Sequence, residues 1–254
     1  MPKVAVAIPA YNAANTIGAV ISQVAEQVGR ENIFVVDDGS TDKTGIIAKD
    51  QGAWVLCHAT RRGKGSALRD AVRKTMEGNY DFIITLDSDL QHDPAEIPDF
   101  LSAAEHFEVV IGSRIISRYK MPLHRFLSNT ITSKLISIRT GVSVEDSQCG
   151  YRLFHQEVLK RIDSVRSSYD YESDVLIKAA LAGFSIGFIP IKTIYNDSKS
   201  SIRAIDIARF IRVYMNSFLI KKKLPVDEAQ SRTENVEIIT KQDGIPPRDR
   251  RAEL

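Results

Sequence analysis

Asp87 and Asp89 stand two positions apart at the end of an apolar run, Phe82 to Leu86, and Gln91 follows two positions later. In a strand, that spacing puts both carboxylates on one face. A buried strand that ends in acids has reached the mouth of a sheet, where open α/β folds bind ligands. Two carboxylates and an amide oxygen are hard donors. They suit Mg²⁺ or Mn²⁺ when substrate phosphates complete the coordination. The plain alternative is a strand-to-helix turn with Asp89 or Asp93 as its cap. A pattern as short as Asp-x-Asp is by itself only a hypothesis.

Two earlier strand ends are of the same kind. Val4 to Pro9 is apolar and runs into Ala10-Tyr11-Asn12. Ile33 to Val36 is apolar and runs into Asp37-Asp38-Gly39-Ser40-Thr41-Asp42. Between them Ile17, Val20, Ile21, Val24 and Val28 recur at helical spacing, so the first 36 residues read as a βαβ unit. Further strand-like runs occur at 109–111 and 185–191, and a helical pattern at 175–182. Strands alternating with helices predict an α/β fold with a mostly parallel central sheet covered on both faces.

The order of these motifs carries a resemblance. Ile8-Pro9-Ala10-Tyr11-Asn12, Val35-Val36-Asp37-Asp38-Gly39-Ser40-Thr41-Asp42, Gly63-Lys64-Gly65, Asp87-Ser88-Asp89-Leu90-Gln91 and Gly112-Ser113-Arg114 follow one another in this sequence. The chain resembles family-two glycosyltransferases with a single GT-A type nucleotide-sugar domain, and among them the dolichyl-phosphate mannose and glucose synthases. Asp146 to Phe154 is most similar to the glucose-transferring branch. The resemblance spans residues 3 to about 223. It implies a metal-dependent transfer of a hexose from a nucleotide-diphosphate sugar, of the GDP-mannose or UDP-glucose type, to a polyprenyl or dolichyl phosphate.

It also implies roles. Asp89 is then the principal metal ligand, Gln91 assists, and Asp87 touches the ribose or the metal, with Ser88 between them in the donor site. Pro9, Tyr11, Val36 and Asp38 form the base and ribose pocket, with Tyr11 stacking on the base. An acceptor phosphate is already anionic, so it needs cations to dock it rather than a strong base. Arg114, Arg125 and Lys199 are the candidates, because arginine matches phosphate geometry in a bidentate manner. Each has a plain reading as a surface ion pair or a solvated charge. Gly63-Lys64-Gly65 reads either as a phosphate approach or, preferably, as the tight turn before a helix. Glu172 and Asp174 read equally as first-turn acids of a helix and as contacts to sugar hydroxyls. His92, beside Asp93-Pro94, reads as a helix entry rather than a ligand.

Composition adds bounds. The chain has 254 residues, 43% of them hydrophobic, enough for a sizeable core. A net charge of +2 points to no partner by itself, and no nucleic-acid partner is expected. Cys57 and Cys149 match no metal or redox spacing, which fits a reducing cytoplasmic setting. Met1-Pro2-Lys3 leads straight into the first strand, so no signal peptide is expected. No apolar run reaches the roughly 18 residues of a membrane span. Instead, residues 120–139 and 202–223 predict helices that mix apolar side chains with Arg125, Lys134, Arg139, Arg203, Arg209, Arg212 and Lys221 to Lys223. By pattern alone, their apolar faces either pack on the sheet or, as basic amphipathic helices can, lie in a bilayer interface; the resembled synthases place interfacial helices here. Peripheral attachment to the cytoplasmic membrane face is therefore expected. Residues 1–223 read as the catalytic domain. Residues 224–254 read as a polar tail, with a short strand possible at Val236 to Thr240.

Two departures bear on the donor. Ala13 stands where the resembled family carries a nucleoside-contacting Glu. Arg152 replaces an aromatic residue of some mannose synthases. The first leaves the nucleotide open, and together they weaken the case for GDP-mannose and put a UDP-sugar at least level with it. Two other readings remain at this level: a same-fold transferase acting on a hydroxyl, with Glu172 or Asp174 as base, and a non-catalytic nucleotide-binding domain.

Overall fold

The computed structural model describes residues 2–116, 121–162, 170–194 and 204–220. The readings made for Lys199, for Arg203, for Lys221 to Lys223 and for the tail from 224 onward lie outside the described residues.

Seven strands form one sheet in the order β3-β2-β1-β4-β6-β5-β7. They are β1 (Val4–Ala10), β2 (Ile33–Asp37), β3 (Trp54–Cys57), β4 (Phe82–Thr85), β5 (Val109–Ser113), β6 (Arg152–His155) and β7 (Ile186–Pro190). All pairings are parallel except the two made by β6, which runs antiparallel between β4 and β5. Every residue of β1, β2 and β5 is buried, as a sheet covered on both faces requires. Helix α1 (Ile17–Val28) turns Ile17, Val20, Ile21 and Val24 inward, matching its predicted apolar stripe.

The order reverses at β1, whose neighbours β2 and β4 continue on opposite sides. Such a switch point opens a crevice at the strands' carboxyl ends. Pro9 marks the place. Ala7 accepts from Leu86 N at 3.1 Å, so Ala7 and, two residues on, Pro9 address the β4 side. The β4 ladder ends at Thr85 opposite Ala7. The donor that proline lacks therefore has no strand to meet, and β1 and β4 part there.

The sequence reading needs correction at several points. The two acids do not share a pleated face, because β4 ends at Thr85 and Asp87 and Asp89 lie in the following turn. Pro9 and Val36 pair in register inside the core. The Val36 side chain is 0% exposed, so it cannot line a base pocket. Arg152, taken above as bearing on the donor, serves the fold instead. It is 1% exposed and donates to the carbonyls of Cys149 (2.8 Å), Ser147 (2.8 Å) and Glu172 (2.7 Å). It clamps the 146–149 loop to helix α7 (Asp170–Leu181) and therefore carries no information about the donor. Finally, β3 and β6 had no counterpart in the sequence reading.

The two helices of mixed character are α5 (Leu123–Thr140) and α8 (Ala204–Ser217). Helix α5 is inverted. Its buried positions include Asn129, Ser133 and Thr140, while Leu123, Leu127, Ile131 and Ile138 face outward, Leu123 at 70% exposure. On α8 and the turn after it, Ile207, Ile211, Met215, Phe218 and Leu219 are exposed. Arg139 joins the two helix ends by donating to Ser217 Oγ (3.1 Å) and to the Ile220 carbonyl (3.1 Å), with its guanidinium 4.9 Å above the Phe218 ring. The expectation that these helices carry outward apolar faces agrees with this packing. No described helix is long and apolar enough to cross a membrane.

Replacing Arg152 by Met keeps the volume but strands three buried carbonyls. We expect a stability loss of about 3 kcal/mol or more, since each buried acceptor left unpaired costs roughly 1–3 kcal/mol. Urea unfolding measures it, and a loss below about 1 kcal/mol would show that Arg152 is not a structural clamp.

Candidate active site

Loops from three strand ends meet at the crevice, and most of their polar side chains serve the loops themselves. Asn12, at φ +50°, donates its backbone N–H to Ser40 Oγ (2.9 Å) and accepts from Thr41 N (2.9 Å) through Oδ1. Asp42 accepts from Ala14 N (3.1 Å) and Thr44 N (2.9 Å). Asp37 accepts from Ser40 N (2.9 Å). Ala13, at the departure noted above, donates its N–H to Thr44 Oγ1 at 2.8 Å. Gly39 (φ +74°) is required where the chain crosses residues 60 and 61: a Cβ there would lie 2.7 Å from Arg61 N.

Asp38 is likewise committed. It is buried and accepts from Arg62 N (2.8 Å), Gly63 N (2.7 Å) and His58 Nδ1 (2.8 Å). His58 Nε2 meets Asp70 at 3.1 Å. The role read from sequence, a direct contact to base or ribose, gives way to one of shaping the 58–63 loop. Tyr11 does face the cleft, at 37% exposure. The Arg61 guanidinium lies 4.1 Å above its ring, a flat cationic lid over the face assigned to a base.

The acids lie deeper. Asp89 accepts from Gln91 N (3.1 Å), and Leu90 between them is held at φ +60°, a conformation that costs a non-glycine residue energy and marks functional turns. Thr16 Oγ1 donates to the Ser88 carbonyl at 2.6 Å, tying the turn to the start of α1. Lys64 opens helix α3 (Lys64–Thr75). Its Nζ lies 2.8 Å from Asp87 Oδ1, 3.1 Å from Asp87 Oδ2 and 3.2 Å from Glu172 Oε1. Burial opposes ionisation of Asp87, but Lys64, then His92 and Arg114, outweigh it and hold its carboxyl below the usual range. Burial and the Asp87 charge push Asp89 above that range. His92 is buried, and burial lowers it to about 4, so it stays neutral at pH 7. It bridges to Thr193 while Asp93 caps the turn at 94–96.

The residues fit a divalent cation. An ammonium already spans both oxygens of Asp87, and Asp89 holds charge that its surroundings disfavour. The donors are hard oxygens. Among the described residues no three His, Cys, Asp or Glu side chains converge on one point, so protein carboxylates alone do not form a full cage.

Arg114 leaves β5 and grips Asp146 in bidentate fashion, Nε to Oδ2 at 2.7 Å and a terminal nitrogen to Oδ1 at 2.9 Å. The phosphate fork expected of it is thus used on a protein carboxylate. Asp146 is buried, yet Arg114 holds it below the usual range. Asn129 of α5 also donates to Asp146, at 2.9 Å. Arg125 lies one turn before Asn129 on the same face and is half-buried. Glu172 is held by Lys64, and Asp174 by Lys178 at 2.8 Å.

The sequence reading therefore missed His58 and Arg61, and it read Lys64 as part of a turn. Gly63 does make that turn, at φ +100°. Lys64 was already conspicuous as a cation at a helix N-terminus, where the dipole disfavours it.

Comparison with known proteins agrees with this architecture. The chain is 30% identical to an undecaprenyl-phosphate mannosyltransferase of Micrococcus luteus, over 72% of this chain and 80% of that one. It is 30% identical to a UDP-N-acetylglucosamine–dolichyl-phosphate N-acetylglucosaminyltransferase of Methanococcus voltae, over 84% and 94%. In fold it is similar to a glucosyl-3-phosphoglycerate synthase of Mycobacterium tuberculosis solved with uridine diphosphate. That similarity has a TM-score of 0.65 and 22% identity, over 84% of this chain and 80% of that one. The sheet and its flanking helices are those of a GT-A glycosyltransferase. A family model, Glycosyl transferase family 2, matches residues 5–163; the chain belongs to that family and is a glycosyltransferase.

Proposed function

We propose that this glycosyltransferase moves a hexose from a nucleotide-diphosphate sugar to a polyprenyl phosphate at a membrane surface. One observation carries the acceptor: α5 turns polar side chains inward and a row of Leu and Ile outward, next to the arginines at the cleft. A lipid phosphate needs that pairing of an apolar bed for its chain and cations for its head. The names of the two relatives support it, since both act on polyprenyl phosphates while transferring different sugars. The acceptor class carries over to this chain; the sugar does not.

The residues then divide the work. Tyr11 and Arg61 flank the base. Asp38 fixes the 58–63 loop that brings Arg61 and Lys64 to the donor. Asp89, Asp87 and Gln91 hold Mg²⁺ or Mn²⁺, which when bound neutralises charge on the departing diphosphate. Arg125 and Lys199 dock the acceptor phosphate without removing its nucleophilic charge, while Arg114 holds the 146–148 loop through Asp146. Residues 1–223 contain all of these groups and form the catalytic domain; 224–254 form a polar tail. With Cys57 and Cys149 both free, a reducing compartment fits. We place the enzyme on the cytoplasmic face.

Replacing Asp89 by Ala should reduce transfer from a radiolabelled nucleotide sugar to polyprenyl phosphate by at least a hundredfold, and chelator should abolish wild-type turnover. Turnover within threefold of wild type in both cases would sink the metal assignment. Arg125→Ala should raise the acceptor KM at least tenfold and leave donor affinity, measured by calorimetry, nearly unchanged. Equal loss of both would move Arg125 out of the acceptor site.

The membrane face has its own test. The protein should co-sediment with anionic vesicles and be partly released by high salt, because surface charge is screened within about 8 Å at physiological ionic strength. Replacing both Leu127 and Ile131 by Asp should abolish sedimentation without lowering the melting temperature. Undiminished binding would show that α5 is not the membrane face.

A further inference from the structure

We propose that Lys64 is a resident counter-cation of the metal site, which keeps Asp87 closed to free Mg²⁺ or Mn²⁺ until a nucleoside diphosphate arrives. The inference rests on the divalent-metal reading above. Its first support is geometry. Lys64 Nζ spans both Asp87 oxygens, at 2.8 and 3.1 Å, and reaches Glu172 at 3.2 Å. One ammonium thus serves two acids that come from the loop after β4 and from α7.

Its second support is that nothing local explains a lysine here. Lys64 begins α3, where the positive end of the helix dipole opposes a cation. The turn before it is fixed independently by Asp38, which accepts from Arg62 N and Gly63 N. The third support is confinement. Gly150 packs against Asp87 so closely that a Cβ there would sit 2.7 Å from Oδ2. The carboxylate is walled on that side by backbone and has little room to turn away from Lys64.

A divalent ion and an ammonium at bonding distance from the same two oxygens repel each other strongly. A free metal ion must therefore displace Lys64. A diphosphate changes the balance, because its own negative charge can take the ammonium on its flexible four-carbon stem while its oxygens complete the metal's coordination. Metal and donor then load together, and the free enzyme holds metal weakly.

Mn²⁺ binding to the full chain tests this, followed by water-proton relaxation, which separates protein-bound from nucleotide-bound ion. Wild type should bind Mn²⁺ at least tenfold more tightly with UDP or GDP than without. Lys64→Met should raise nucleotide-free affinity at least tenfold and shrink the nucleotide effect. Lys64→Gln, neutral but able to hydrogen-bond both acids and so to keep the loop packed, should move the same way. Lys64→Arg should stay near wild type without nucleotide. If Met and Gln leave nucleotide-free affinity unchanged or lower it, while wild type still binds Mn²⁺ with nucleotide, the counter-cation role is wrong and the metal site stands. If wild type binds no Mn²⁺ under any condition, the metal reading and this inference fall together.

Discussion

Two half-buried carboxylates two residues apart repel each other, and the surrounding structure is organised to meet that charge. Asp87 is met by Lys64. Lys64 also meets Glu172, and the Glu172 carbonyl accepts from Arg152. Arg152 in turn holds the carbonyls of Ser147 and Cys149, beside Asp146, which binds Arg114 and Asn129. One polar network thus runs from the start of α3 through α7 and β6 to α5. In a medium of low dielectric such a network is strong when satisfied and costly when broken. The acids of the cleft and the helix at the surface are therefore mechanically linked, although no side chain touches both.

The inverted character of α5 follows from that network. Ser147 meets Thr132 at 2.9 Å and Ser133 at 3.1 Å. Gln148 reaches Ser128 at 3.1 Å. The 146–148 loop needs hydrogen-bond partners, and α5 supplies them along its inner face. Its leucines and isoleucines are then left for the outside. A helix serving only the core would be arranged the other way. Exposed apolar rows on α5 and α8 make a patch of the kind that marks an interaction surface.

What was legible in the sequence was what local period determines. The stripe of α1 and the apolar runs of β1, β2, β4 and β5 each declare themselves within a few residues. Strand β6 did not, because it is four residues long and begins with a buried arginine. Strand β3 is half-exposed and short. In the site, residue types were legible but not partners. Asp37, Asp38 and Asp42 look alike as ligands in sequence, and backbone amides claim oxygens of all three. The Lys64–Asp87 contact joins residues 23 positions apart across a strand crossing, which no local pattern encodes. The face shared by Asp87 and Asp89 was inferred from strand alternation, and it failed because the strand stops two residues early.

The disposition of carboxylates also separates the two kinds of acceptor. A hydroxyl must lose its proton as it attacks, so a transferase acting on one requires a base within hydrogen-bond reach. The two acids that sequence offered for that work are engaged: Glu172 is buried against Lys64, and Asp174 is buried against Lys178. A phosphate monoester brings its charge with it and asks only to be held. On the proposed reading, Arg125 and the outward apolar row of α5 provide that holding for a head group and its lipid chain together. On that reading, the same helix that completes the hydrogen bonding of the 146–148 loop also selects the nucleophile.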